Sequence, residues 1–250
     1  MSSFSVILTR PDQREPMAVA RALAAARKTP EQDQVAAAKR GWGILAENLS
    51  AVEAQGLVEG LGRSGLESAS LPMSSLVQLP EAKPIGRFGP TLADQLVLVA
   101  AAGITVTSTT TKTVKEGPSA AQKILSTGIL LTTGLPIKIG GKERIVEKTQ
   151  QHSDLVFYLD LIYKDPLRRL RIDAQRFDYS FLKERKLYFL MGNFKLLVGD
   201  LVQAAPGAWR NHGARVLLEN KPLQTMGYES LADLERETRW LLTLLTLQTL

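Results

Sequence analysis

Residues 41–66 read GWGILAENLSAVEAQGLVEGLGRSGL. Gly41 and Gly43 flank Trp42 and should end any helix that precedes them, because glycine favours helix ends over helix interiors. Residues 42–46 then predict a strand. Ser50 with Glu53 three positions later is a capping box, in which the serine oxygen accepts a first-turn N–H and the glutamate reaches back. Ala54, Leu57, Val58 and Leu61 recur at helical spacing and form one apolar stripe. Gly65 supplies the left-handed position that closes such a helix, and residues 66–73 follow as a strand.

Toward the N-terminus, Phe4-Ser5-Val6-Ile7-Leu8-Thr9 is a β-rich run. Residues 17–27 are alanine-rich with Val19, Leu23 and Ala26 at helical spacing. Thr29 is a candidate N-cap, with Pro30 at the first helical position and Gln32 three after the cap, so a second helix runs to about Arg40. The order over 4–73 is therefore β-α-α-β-α-β. Gly60-Leu61-Gly62-Arg63-Ser64-Gly65 matches G-x-G-x-x-G letter for letter. A dinucleotide fingerprint needs a strand before it and a helix after it. Here the helix comes first, so the segment is expected to be a helix end.

These residues invite comparison with a known family. Residues 4–73 resemble the C-terminal domain of the bacterial ribosomal stalk protein in element order and in the phrase Ile44-Leu45-Ala46-Glu47-Asn48-Leu49-Ser50-Ala51-Val52-Glu53-Ala54, closing at Ser64-Gly65. The resemblance implies a small α/β sandwich used as an interaction platform, a fold that also serves as a protease adaptor. In the family a lysine-rich helical face docks translation GTPases. The corresponding helix here offers Lys39 and Arg40, and Asn48 stands where the family pattern has glycine.

Beyond residue 73 the chain changes character. Pro80, Pro84 and Pro90 with Gly86 and Gly89 mark 76–90 as a linker. The expected organisation is thus a stalk-like domain over 1–75, a linker over 76–90, and an α+β domain over 91–250. That second domain is expected to hold a mostly antiparallel sheet with two C-terminal helices, in a topology that resembles a pleckstrin-homology sheet. Residues 96–114 and 137–148 are rich in β-branched residues and predict strands, with a helical or loose piece over 119–134. Residues 155–163 and 170–179 predict a hairpin across Lys164-Asp165-Pro166, since proline cannot donate a ladder bond. Alternation points Leu170, Ile172 and Ala174 one way and Arg169, Arg171 and Asp173 the other. Helices are expected over 193–204 and, opening at Ser230 with Asp233 as a second capping box, over 230–247.

Composition excludes several classes of function. The chain has 250 residues, 44% hydrophobic and 22% charged, which is ordinary globular usage. It has no cysteine, so disulfides, thiolate catalysis and cysteine-ligated metals are excluded. No basic-then-apolar leader opens the sequence, and the apolar runs 96–106 and 129–139 fall well short of the ~20 residues that span a bilayer. The expected compartment is cytoplasmic. Residues 1–80 hold 8 basic and 8 acidic residues, so the net charge of +6 lies in 81–250.

No residue stands out as a catalyst, cofactor ligand or metal ligand, and no cofactor is expected. His152, in the polar run 150–154, and His212 are the only histidines, and both are expected in loops. Ile139-Gly140-Gly141-Lys142 lacks the upstream glycine and the hydroxyl residue of a phosphate loop and predicts a turn. Asp160 is expected to face solvent opposite Leu159 and Leu161. The densest basic stretch is 164–186, and its candidate partner-binding residues are Arg168, Arg169, Arg171, Arg176, Lys183, Arg185 and Lys186. Phe177, Tyr179, Phe181 and Tyr188 interleave with them. Cations with aromatics suit single-stranded nucleic acid, and they equally suit a hairpin whose aromatics are core. The function expected is a protein-interaction or regulatory module with a partner of acidic character. An enzyme with a site between the domains, a nucleic-acid binder using 164–186, and self-association stand as alternatives. On this reading, changing Arg169 and Arg171 to glutamate would weaken partner binding and leave the fold intact.

Overall fold

The computed structural model describes residues 3–88, 93–116 and 144–248. Its first layer has the expected order: β1 (Phe4–Leu8), α1 (Pro16–Arg27), α2 (Glu31–Gly41), β2 (Ile44–Leu49), α3 (Ala51–Arg63) and β3 (Ser68–Pro72). β1 lies between β2 and β3 and is antiparallel to both. Ser5, Val6, Ile7 and Leu8 are all buried. Because successive side chains point to opposite faces, both faces of this strand are covered.

The local signals act as their chemistry requires. The Ser50 hydroxyl accepts from the Glu53 N–H at 3.3 Å, and the Glu53 carboxylate accepts from the Ser50 N–H at 2.8 Å. Gly65 has φ +79° just after α3, so the G-x-G-x-x-G segment is a helix end. Asn48 has φ +60° within β2, a conformation that asparagine tolerates better than most residues. The second helix starts at Glu31, with Pro30 at its cap. Thr29 does not cap it; its hydroxyl accepts from the Gln34 side chain at 3.0 Å.

The second layer is a five-stranded sheet of β4 (Ala82–Pro84), β5 (Leu96–Glu116), β6 (Arg144–Tyr163), β7 (Arg168–Asp173) and β8 (Trp209–Arg210), in the order β4-β7-β6-β5-β8. β6 and β7 are antiparallel, with Tyr163 opposite Arg168, so the turn falls at Lys164-Asp165-Pro166 as expected. β4 and β8 join the edges through short parallel pairings, so the sheet is mixed. The polar run 150–154 belongs to β6, not to a loop. Helices α4 (Leu190–Ala204), α5 (His212–Leu218) and α6 (Leu231–Gln248) complete the chain, and the class is α+β. The short α5 had no sequence signal long enough to predict it. The expected piece at 119–134, the turn at 140–142 and the first residues of the 137–148 strand lie outside the described residues.

The division of the chain differs from the one expected at 76–90. One compact unit joins 1–104 with 156–250, and residues 105–155 form a second. Residues 76–88 are packed into the first unit. Leu76 is buried, Val77 N–H donates to the Thr243 hydroxyl at 3.1 Å, and β4 pairs with β7. Phe88 meets Phe177 and Phe181 edge-on. Proline and glycine density predicts a linker, but a short edge strand carries proline equally well, because its outer N–H has no partner to lose.

Helix α6 binds the first layer to the second within this unit. Trp240 is buried and donates its indole N–H to the Leu8 carbonyl at 2.7 Å. Its ring lies so close to Gly43 that a Cβ there would sit 2.1 Å from a ring carbon. Arg236 donates to the Gly41 carbonyl at 3.0 Å, and Arg236 and Arg239 both pair with Glu47. We expect Trp240→Ala to cost about 3–5 kcal/mol, as deletion of a buried aromatic does. A lower midpoint in urea unfolding followed by circular dichroism checks this. A change within about 0.5 kcal/mol, typical of a surface site, would show that α6 does not anchor the first layer.

Candidate functional site

The predicted basic stretch divides into engaged and free cations. Asp160 is fully buried, not solvent-facing. Its carboxylate accepts from Arg169 at 2.6 and 2.9 Å and from Arg171 at 2.7 and 2.9 Å. Glu235 of α6 accepts from both arginines, at 2.9 and 3.1 Å. Arg169 is only 4% exposed and Arg171 15%. Strand alternation correctly places these two on one face, with Ile172 in the core on the other. What alternation could not show is that α6 covers the arginine face as well. Burial raises the Glu235 carboxyl, but the hydrogen bonds and charges of Arg169 and Arg171 outweigh it and hold the group below its ordinary value.

Arg168 lies over the Tyr163 ring at 4.8 Å and donates to the Gln95 side chain at 3.3 Å. Arg185 pairs with Asp200 at 2.6 Å. Arg176 is 87% exposed and only 3.5 Å from Asp173. Lys183 and Lys186 are exposed, and among the described residues neither has an ion-pair partner. Of the interleaved aromatics, Phe177 and Tyr179 are buried, Phe181 packs on them, and Tyr188 alone is exposed. Leu187 and Phe189 beside it are exposed too. The backbone of Leu187 is held by Asn193 of α4. The Asn193 side chain accepts from the Leu187 N–H at 2.7 Å and donates to its carbonyl at 2.8 Å. A Cβ at Gly192 would meet the outer atoms of the Leu187 and Phe189 side chains at 2.5 and 2.6 Å, so both lie close over that glycine.

A cleft of about 660 Å³ opens between the β1–α1 connection, the end of α2 and helix α5. The Arg14 guanidinium lies over the Trp42 ring at 4.1 Å, and the other face of Trp42 stacks on Tyr228 with centroids 4.2 Å apart and planes 5° apart. The Tyr228 hydroxyl is buried and donates to Glu237. Asn211 ties the group to the sheet: its amide donates to the Ala101 carbonyl at 2.9 Å, to Tyr228 at 2.8 Å and to Glu237 at 3.1 Å. Burial, then the neighbouring Glu237, push the Tyr228 hydroxyl well above its ordinary value, so it stays a donor. His212 opens α5, with Nε2 at 2.8 Å from the Thr225 carbonyl. Burial lowers its pKa, against the opposing pull of that hydrogen bond.

Sequence reasoning singled out none of Arg14, Trp42, Asn211, Tyr228 or Glu237 as site residues. They come from five separate segments, and the signal available was Trp42 between two glycines. Among the described residues no group of histidine, aspartate and glutamate could hold a metal ion, and no helix is long and apolar enough to cross a membrane. No family model matches the chain, and neither a curated protein nor a solved structure does.

Three outcomes are expected from this geometry. Asp160→Asn removes the buried counter-charge of Arg169 and Arg171 and leaves them only the more exposed Glu235, so it is expected to cost about 3–5 kcal/mol, as breaking a buried pair does. Changing Arg169 and Arg171 to glutamate sets like charges against Asp160 and should unfold the chain, contrary to the expectation from strand alternation; urea denaturation reads both. His212 is expected to titrate below 6.5, followed by NMR of its ring protons with a His152 variant for assignment. A folded pKa below the unfolded one means the unfolded chain binds more protons, so this contribution is full above the unfolded value and is lost as pH falls through and below about 6.5.

Proposed function

We propose that the protein is an interaction module that docks an acidic protein partner on the surface formed by residues 176–189. The observation that carries this reading is the exposure of Leu187, Tyr188 and Phe189 beside Lys183 and Lys186, two cations with no ion-pair partner among the described residues. Aromatic anchors dominate binding energy at protein interfaces, and surrounding charges set partner choice and encounter rate. Arg176 extends the positive rim. The resemblance of residues 4–73 to an interaction platform points the same way.

The nucleic-acid reading is weaker on the same residues. A single-strand groove needs a run of free cations and several exposed aromatic faces. Arg168, Arg169, Arg171 and Arg185 are engaged within the fold, and Phe177, Tyr179 and Phe181 are packed inside it.

A photo-crosslinking residue at position 188, used in the native cell, tests the proposal. The captured species is expected to be a protein with an acidic surface. Capture should fall in Lys183→Glu/Lys186→Glu, whose fold stays intact because both sites are exposed. It should also weaken as salt rises, since screening shortens to about 8 Å at physiological ionic strength. Capture that is indifferent to both the variant and salt, or capture of nucleic acid alone, would sink this reading.

A further inference from the structure

The carboxylates that line the cleft beside α5 already have partners. Asp12 pairs with Arg10 at 2.8 Å, Glu219 with Lys221 at 2.6 Å, and Glu229 with Arg40 at 3.5 Å. Glu15 accepts the Met17 and Ala18 N–H groups at the start of α1, and Asp233 accepts those of Glu229 and Ser230 at the start of α6. Arg14, Lys39 and Arg215 line the same cleft, and among the described residues none of them has an ion-pair contact. Asp12 and Glu219 feel the charge of Arg215 without touching it, and each has a nearer cation. The Nε of Arg215 is buried and has no acceptor, a costly state for a charged donor.

We propose that this cleft binds a small organic phosphate, with the phosphate held by Arg14, Lys39 and Arg215. Two guanidiniums and an ammonium suit a group with several acceptor oxygens and more than one negative charge, which a phosphate has and a carboxylate lacks. Arg14 is positioned in advance, because it lies on Trp42, which is stacked on Tyr228, whose hydroxyl is held by Glu237. A volume of about 660 Å³ is that of a small-molecule site and exceeds what inorganic phosphate fills. Pro11, Pro16 and Met226 give the lining an apolar part for the remainder of the ligand. This inference stands on residues separate from the 176–189 surface, so either can fail alone.

Calorimetric titration of the full chain with phenyl phosphate, inorganic phosphate and phenylacetate at matched ionic strength tests it. Phenyl phosphate should saturate one site and bind more tightly than the other two. The variant Lys39→Gln/Arg215→Gln should weaken it by about tenfold or more, as loss of charge-assisted hydrogen bonds does. Should that variant lose its fold by circular dichroism, Lys39→Gln alone, at an exposed position, should still weaken binding measurably. The proposal is overturned by an absence of saturable heat, by unchanged affinity in the folded variant, or by phenylacetate binding as tightly as phenyl phosphate. Inorganic phosphate binding as tightly as phenyl phosphate overturns the organic-ligand assignment. A phosphoserine peptide binding more tightly than phenyl phosphate moves the phosphate to a partner protein and overturns the small-ligand assignment.

Discussion

The indole of Trp240 donates to the Leu8 carbonyl, and the space for that ring exists only because residue 43 has no side chain. This one contact fixes the last helix against the first strand of the protein, across almost the whole length of the chain. An α-helix turns about 100° per residue, so fixing Trp240 also fixes where its neighbours point. Glu235 then reaches the arginines of β7, Arg236 and Arg239 reach Glu47, and Glu237 reaches Tyr228 and Asn211. A helix whose charged residues have partners on several sides cannot be moved without breaking buried pairs, and breaking them costs far more than an exposed pair is worth.

The buried charges have a division of labour. Asp160, Arg169, Arg171 and Glu235 form a closed set of two carboxylates and two guanidiniums, in which bidentate geometry offsets the cost of desolvation. Glu237 is different: its acceptors are met by Tyr228, Asn211 and the His212 N–H, without a cation in contact. Both sets brace α6, one against the second sheet and one against the cleft. Their residues would look like candidate acids and bases if seen only as buried ionisable groups. In both sets the hydrogen bonds run among the residues of the set and the backbone next to them.

Cations without an ion-pair contact among the described residues mark both proposed surfaces. Lys183 and Lys186 flank an exposed aromatic projection, and Arg14, Lys39 and Arg215 line a concave site whose carboxylates are engaged elsewhere. A convex aromatic surface and a concave cationic cleft suit ligands of different size. The two proposals therefore assign them to different partners.

Local chemistry decided what the sequence could tell. Ser50 and Glu53, Gly65, the turn at Lys164-Asp165-Pro166 and the apolar stripes of α3 and α4 depend on neighbours within a few residues, and each formed as its chemistry dictates. The helix-end identity of Gly60–Gly65 was legible for the same reason. Tertiary structure decided the rest. Whether Asp160 and Arg171 face water depends on a helix more than sixty residues away. Whether 76–88 is a linker or an edge strand depends on β7. The cleft joins residues from the first fifty positions to residues beyond 210. Period-two alternation tells which residues share a face, but not whether that face is covered, because burial is settled by distant segments that sequence spacing does not relate.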